Sequence, residues 1–89
     1  MTTSVTWSVV LTGPAGKSLK RIPASDRERI HAALKEMAAD PLRGDIKYLK
    51  GQKGRLRRHV GDWRIFFHIV PERKHLVVTA IQRRTSITY

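Results

Sequence analysis

Cysteine is absent from the 89 residues, which excludes disulfides and thiolate metal centres and points to a reducing compartment. Acids are scarce: seven Asp and Glu stand against eighteen Lys and Arg, for a formal net charge of +11. Those carboxylates are scattered, so no pair suited to two-carboxylate hydrolysis is expected. The four histidines lack metal-ligand spacing, so neither a metal nor another cofactor is expected. No apolar run approaches the roughly 20 residues of a membrane span. Residues 1–13 also lack the basic-then-apolar order of a secretory signal. The expectation is a cytoplasmic chain with no membrane partner. Internal repeats, low-complexity tracts and linkers are missing too, so residues 1–89 read as a single domain.

What is present is basic charge, and it is uneven. Residues 46–89 carry eleven Lys and Arg against only Asp62 and Glu72, whereas residues 1–45 carry seven against five acids. A polyanionic partner, nucleic acid or an acidic protein, is expected to meet the second half.

Val5, Trp7, Val9 and Leu11 alternate with Thr6 and Ser8, the pattern of a half-buried strand. Gly13-Pro14 opens a short helix with Ala15, Leu19 and Ile22 on one side, and Pro23 ends it. Ser25 and Glu28 have capping-box spacing ahead of a second helix, whose stripe is Ile30, Ala33, Leu34, Met37 and Ala38. Asp40-Pro41 stops that helix. Leu42–Lys53 reads as a glycine-rich loop carrying Lys47, Lys50 and Lys53. A hairpin follows, strands 55–60 and 63–70 about Gly61-Asp62, then a turn at 71–74 and a last strand over His75–Ile81. The predicted fold is α+β: two antiparallel helices on one face of a small, mainly antiparallel four-stranded sheet, in the order β-α-α-β-β-β.

The sheet's other face is left open. Alternation puts Arg57 and His59 on it together, and Arg64 beside them across the hairpin. Arg58 then shares the helix side with Leu56 and Val60, which calls for a bulge or for an arginine stem lying along the core edge. Arg57, Arg64, Arg83 and Arg84 are candidate phosphate forks, since guanidinium matches phosphate oxygens two at a time. Lys47, Lys50, Lys53 and Arg55 suit general attraction of an RNA backbone. His59 is the candidate proton carrier near neutral pH. Tyr89 suits base stacking or proton sharing, and Trp63, alternating with Ile65 and Phe67, suits core packing. The set permits metal-free RNA cleavage, with the 2′-OH attacking the adjacent phosphorus and arginines bearing the added charge.

These residues carry a resemblance over essentially the whole chain. L-K-R-I-P at 19–23, A-A-D-P at 38–41, Y-L-K-G at 48–51, R-H-V-G-D-W-R-I at 58–65 and A-I-Q-R-R at 80–84 with Tyr89 resemble the RelE/ParE superfamily of toxins from type II toxin–antitoxin systems, its RelE branch in particular. The resemblance implies a microbial-ribonuclease-like fold and a ribosome-dependent mRNA endonuclease acting in the ribosomal A site, countered by a RelB-like antitoxin. It maps Arg57 and His59 onto the paired basic positions, Arg64 onto the hairpin arginine, Arg83 onto the late arginine and Tyr89 onto the tyrosine. Where the paired positions are commonly lysines, Arg and His stand here. The ParE branch, which inhibits DNA gyrase and cuts nothing, shares the fold and the hairpin, and a plain nucleic-acid-binding module also accounts for the charge.

Overall fold

Helix starts in this chain are set by Thr12 and the prolines. Thr12 adopts extended backbone and its Oγ1 accepts from the Ala15 N–H at 3.4 Å, with Pro14 in the first turn where a missing N–H costs nothing. The expected capping box does not form. The second helix begins at Ala24, one residue before Ser25, and the cap position is Pro23, which supplies no side-chain hydrogen bond. Proline's restricted φ, here −54°, fixes the backbone at the helix entry without supplying an acceptor.

The structure, a computed structural model, describes residues 7–51 and 54–83. These form β1 (Ser8–Leu11), α1 (Gly13–Arg21), α2 (Ala24–Ala39), β2 (Ile46–Tyr48), β3 (Arg55–Val60), β4 (Trp63–Val70) and β5 (His75–Arg83), with a 3-10 turn at Pro71–Arg73. One sheet runs in the order β1-β5-β4-β3-β2, parallel between β1 and β5 and antiparallel elsewhere. The α+β class and both helices are as expected; the sheet has five strands rather than four. The addition is β2, three residues inside the stretch read as loop, too short for alternation to register against the surrounding glycines. No helix among the described residues is long and apolar enough to cross a membrane.

Both helices bury their stripes against one side of the sheet. Ala15, Leu19, Ile30, Ala33, Leu34 and Met37 meet Leu56, Ile65, Phe67, Leu76, Val78 and Ile81 in a single core. Large members such as Phe67, Ile65 and Leu76 contribute about 1.5–3 kcal/mol each by leaving water. One irregularity keeps β5 in step with this core. Phe67 pairs with Val78 but Phe66 pairs with Ala80, so Thr79 is an extra residue on β5. Thr79 Oγ1 donates to the Phe66 carbonyl at 3.3 Å, and the Thr79 carbonyl accepts from Thr12 Oγ1 at 3.2 Å. Val78 and Ile81 thereby both face the helices.

Arg58 needs no bulge, because β3 pairs with β4 without interruption from Arg55 to Val60. Its stem lies in the core and only 8% of the residue is exposed. Its Nη2 donates to Glu36 Oε1 on α2 at 2.7 Å. Glu36 is thereby held below the usual carboxylate range, first by that hydrogen bond and next by the guanidinium charge, with Arg43 adding a little. A carboxylate with a lowered folded pKa stabilises the fold in full above its unfolded value near 4.5 and loses that contribution as pH falls through the folded value. Wild type is therefore expected to show a higher urea midpoint than Glu36→Gln at neutral pH, the gap closing as pH falls below 4.5. Arg58→Met, which keeps the packing and removes the buried charge, is expected to match or exceed wild type in the same titration.

Candidate functional site

The hairpin that carries the site is closed by Gly61-Asp62, flanked by the pair Val60 and Trp63. Gly61 has φ +59° while Asp62 does not adopt positive φ, the pattern of a two-residue turn with glycine first that matches strand twist. This turn fixes the register, and the register assembles the face. His59 pairs with Arg64, and Arg57 lies between Lys47 on β2 and Phe66 on β4. Cross-strand partners share a face, with Cβ atoms about 4.5–5.5 Å apart. Arg57, His59 and Arg64 therefore sit together on the side away from the helices, as expected, and each is half-buried. Lys47 and Arg55 share that face, as does His68, which pairs with Arg55. Lys50 is exposed in the turn after β2. Lys53, Arg84 and Tyr89 lie outside the described residues.

Arg83 is not brought to this patch. It pairs with Trp63 on the helix side of the sheet, its Cζ lying 5.8 Å from the centroid of the indole, a cation–π contact. The physical reason is alternation from buried Ile81, which puts residue 83 on Ile81's side. The neighbour of Arg64 on β5 is Gln82 instead. Trp63 itself is half-buried and packs against the core, as its spacing predicts.

Sequence reasoning missed three contributors, Gln82, Phe66 and Asp45. Asp45 stands at the entry to β2, opposite His59. The His59 N–H donates to the Asp45 carbonyl at 3.0 Å, and His59 Nδ1 lies 3.3 Å from Asp45 Oδ2. With Nδ1–H donated to that carboxylate, a neutral His59 carries its lone pair on Nε2. His59 Nε2 and Arg64 Nε are both buried with no partner among the described residues. A ring nitrogen able to take a proton thus stands beside a guanidinium with donor capacity in hand. The only signal for Asp45 in the sequence is an acid ahead of a long acid-free stretch.

The same loop secures Arg58 on the other side of β3. Gly44 has φ +99°, and a Cβ built there would lie 2.7 Å from Arg58 Cζ. Residues 58 and 59 are consecutive, so this one loop abuts the buried Arg58 guanidinium through Gly44 and meets the open-face histidine through Asp45.

Residues 9–87 match the sequence profile of the ParE toxin of type II toxin–antitoxin systems, parDE. The chain belongs to this toxin family. Solved structures agree on its fold. The archaeal RelE–RelB complex from Pyrococcus horikoshii OT3 matches with TM-score 0.80 at 18% identity, covering 92% of the toxin and 99% of the other chain. Isolated Escherichia coli RelE matches with TM-score 0.80 at 16% identity, covering 91% and 87%. A YoeB/ParE toxin from Agrobacterium tumefaciens matches with TM-score 0.76 at 19% identity, covering 88% and 99%. At such identities the likeness establishes the RelE-like fold, and with the family match it bears out membership of the toxin in the RelE/ParE superfamily. No curated protein sequence matches the toxin.

Proposed function

We propose that this toxin is a ribosome-dependent mRNA endonuclease of the cytoplasm, neutralised by a RelB-like antitoxin. The observation that carries the reading is His59, with Nδ1 turned to Asp45, Nε2 unpartnered among the described residues, and Arg64 directly across the strand pair. A bare anion-binding face has no use for an oriented imidazole.

In the proposed reaction His59 Nε2 takes the proton from a ribose 2′-OH, and that oxygen attacks the adjacent phosphorus. The P–O5′ bond breaks, leaving a 2′,3′-cyclic phosphate and a 5′-OH, and the departing oxygen takes up a proton, for which Tyr89 is the proposed source. Arg57 and Arg64 hold the phosphate and stabilise the charge that grows on its oxygens. The route needs no metal, and DNA, which lacks the 2′-OH, is not a substrate. Lys47, Lys50, Lys53, Arg55 and Arg84 supply the field that draws in the message and ribosomal RNA. Arg83, on the other side of the sheet, is left to contact RNA rather than the reacting phosphate. Support for the antitoxin comes from the Pyrococcus neighbour, which was solved as a RelE–RelB complex.

Purified toxin in an in vitro translation system is expected to produce discrete new 3′ ends on a reporter mRNA, and none on the same mRNA without ribosomes. One observation favours a second reading, inhibition of DNA gyrase: Arg83, the late arginine of the nuclease pattern, is stacked on Trp63 away from the patch. Intact mRNA together with lost gyrase supercoiling would decide for that reading and against cleavage.

A further inference from the structure

The sheet ends in two unlike edges. β2, at one end of the order, carries exposed Lys47 and is flanked by Asp45 and Lys50, charges of the kind that keep an edge strand from pairing with other chains. β1, at the other end, has none. Residues 1–16 contain no Asp, Glu, Lys or Arg, in a chain with a formal net charge of +11. We infer that β1 is the contact surface for a second copy of this chain, paired antiparallel across a two-fold axis. This is independent of the RNA reading, since β5 and β4 separate β1 from the strand that carries Arg57 and His59.

The backbone shows what the edge offers. Ser8 N–H donates to the Lys74 carbonyl at 2.8 Å and Thr12 N–H to the Val78 carbonyl at 3.0 Å, so the even-numbered residues of β1 turn toward β5. The odd-numbered ones turn outward. Trp7 N–H is taken by the Ala38 carbonyl at the end of α2, at 2.7 Å. No strand among the described residues lies beyond Val9 and Leu11. An axis through Val10 sets Val9 opposite Leu11 of the second copy as a hydrogen-bonded pair, and symmetry repeats the pair. Val10, which is 40% exposed, then meets its own counterpart at the closer spacing of a pair without hydrogen bonds.

Side chains complete the match. On the helix side Val9 and Leu11 floor a groove of about 360 Å³, with Leu34 and Ala38 of α2 in its wall. A two-fold axis perpendicular to the sheet keeps the helices of both copies on that side, so the valine and leucine floors join. Charge selects the occupant. An acidic partner is drawn to the basic strands of residues 46–89, whereas two copies of like charge repel least along their neutral edges. His31 and Lys35 are exposed beside the groove. They bring like charge toward the seam, so the pairing is weak and salt strengthens it.

The test is sedimentation equilibrium of the full chain over a concentration series at two salt levels. A monomer–dimer equilibrium is expected, about tenfold tighter at roughly 0.5 M salt than at roughly 0.05 M because screening removes the repulsion. Val10→Lys, at an exposed edge position, is expected to abolish the dimer and to leave the thermal unfolding of the dilute monomer unchanged. Amide exchange gives a second measurement that needs no variant: Val9 and Leu11 are expected to slow as protein concentration rises, while Val10, whose N–H faces β5, does not. A chain that stays monomeric at both salt levels overturns the inference. So does a dimer that Val10→Lys leaves intact, one that loosens as salt rises, or exchange at Val9 and Leu11 indifferent to concentration.

Discussion

In His59→Ala, ribosome-dependent cleavage of the reporter mRNA is expected to fall about 10²–10⁴-fold, the usual worth of a positioned general base. Arg64→Ala is expected to cost about 10²–10³-fold, as for a donor aimed at developing negative charge. Neither side chain belongs to the core, so thermal unfolding measured in parallel is expected to move by only a few degrees. Asp45→Asn is milder. Its carboxylate is 62% exposed and solvent screens it, so a loss of about tenfold is expected, through a weaker hold on the imidazole. The diagnostic readout for Asp45 is the imidazole tautomer by nitrogen NMR: Nδ1–H dominates in wild type, and the two forms approach balance in the variant. A wild-type rate in His59→Ala would remove the imidazole from the reaction and with it the case for cleavage at this face.

The largest effect on stability is expected at Gly44. Its φ of +99° lies where side chains with a Cβ are strained whatever the space around them. Space is short as well, because the added methyl would stand 2.7 Å from Arg58 Cζ and 2.8 Å from its Nε. The guanidinium has to retreat, which strains its 2.7 Å bond to Glu36 and, where that bond is lost, leaves a charge almost buried and unpaired. Gly44→Ala is therefore expected to lose about 2–3 kcal/mol, which for a domain this small lowers the melting temperature by roughly 10–20 °C. The double variant Gly44→Ala with Arg58→Met separates the two causes. Backbone strain persists in it while the collision and the stranded charge are gone, so part of the loss is expected to be regained.

How legible the site is in the sequence depends on how each residue is positioned. Arg57, His59 and Arg64 lie on two strands joined by a two-residue turn, where alternation and turn length together determine which side chains meet. Arg58 could be placed on the helix side by the same counting. Its partner could not, because Glu36 is 22 residues earlier and only the packing of α2 on β3 joins them. Asp45 escapes notice because a three-residue strand has no periodicity to betray it, and pairing with β3 is a tertiary fact. The capping box fails for a local reason: Pro23 takes the cap position, two residues ahead of Ser25, which is already inside the helix. Late in the chain, the motif likeness singles out Arg83, while the strand count from Ile81 assigns the open face to Gln82.

That last choice belongs to Thr79. β5 behaves as a row of odd and even positions, and the extra residue resets the count once, between Val78 and Ala80. Uninterrupted counting from Val78 would turn Ile81 and Arg83 outward and bury Gln82 against the helices. The core forbids this, since turning Ile81 out of a site where it is 3% exposed costs about 2 kcal/mol. The end of β5 therefore has a parity, locked at one end by a threonine hydroxyl and at the other by an isoleucine. Through it, a bulge and a core isoleucine decide whether an amide or a guanidinium stands beside Arg64 on the open face.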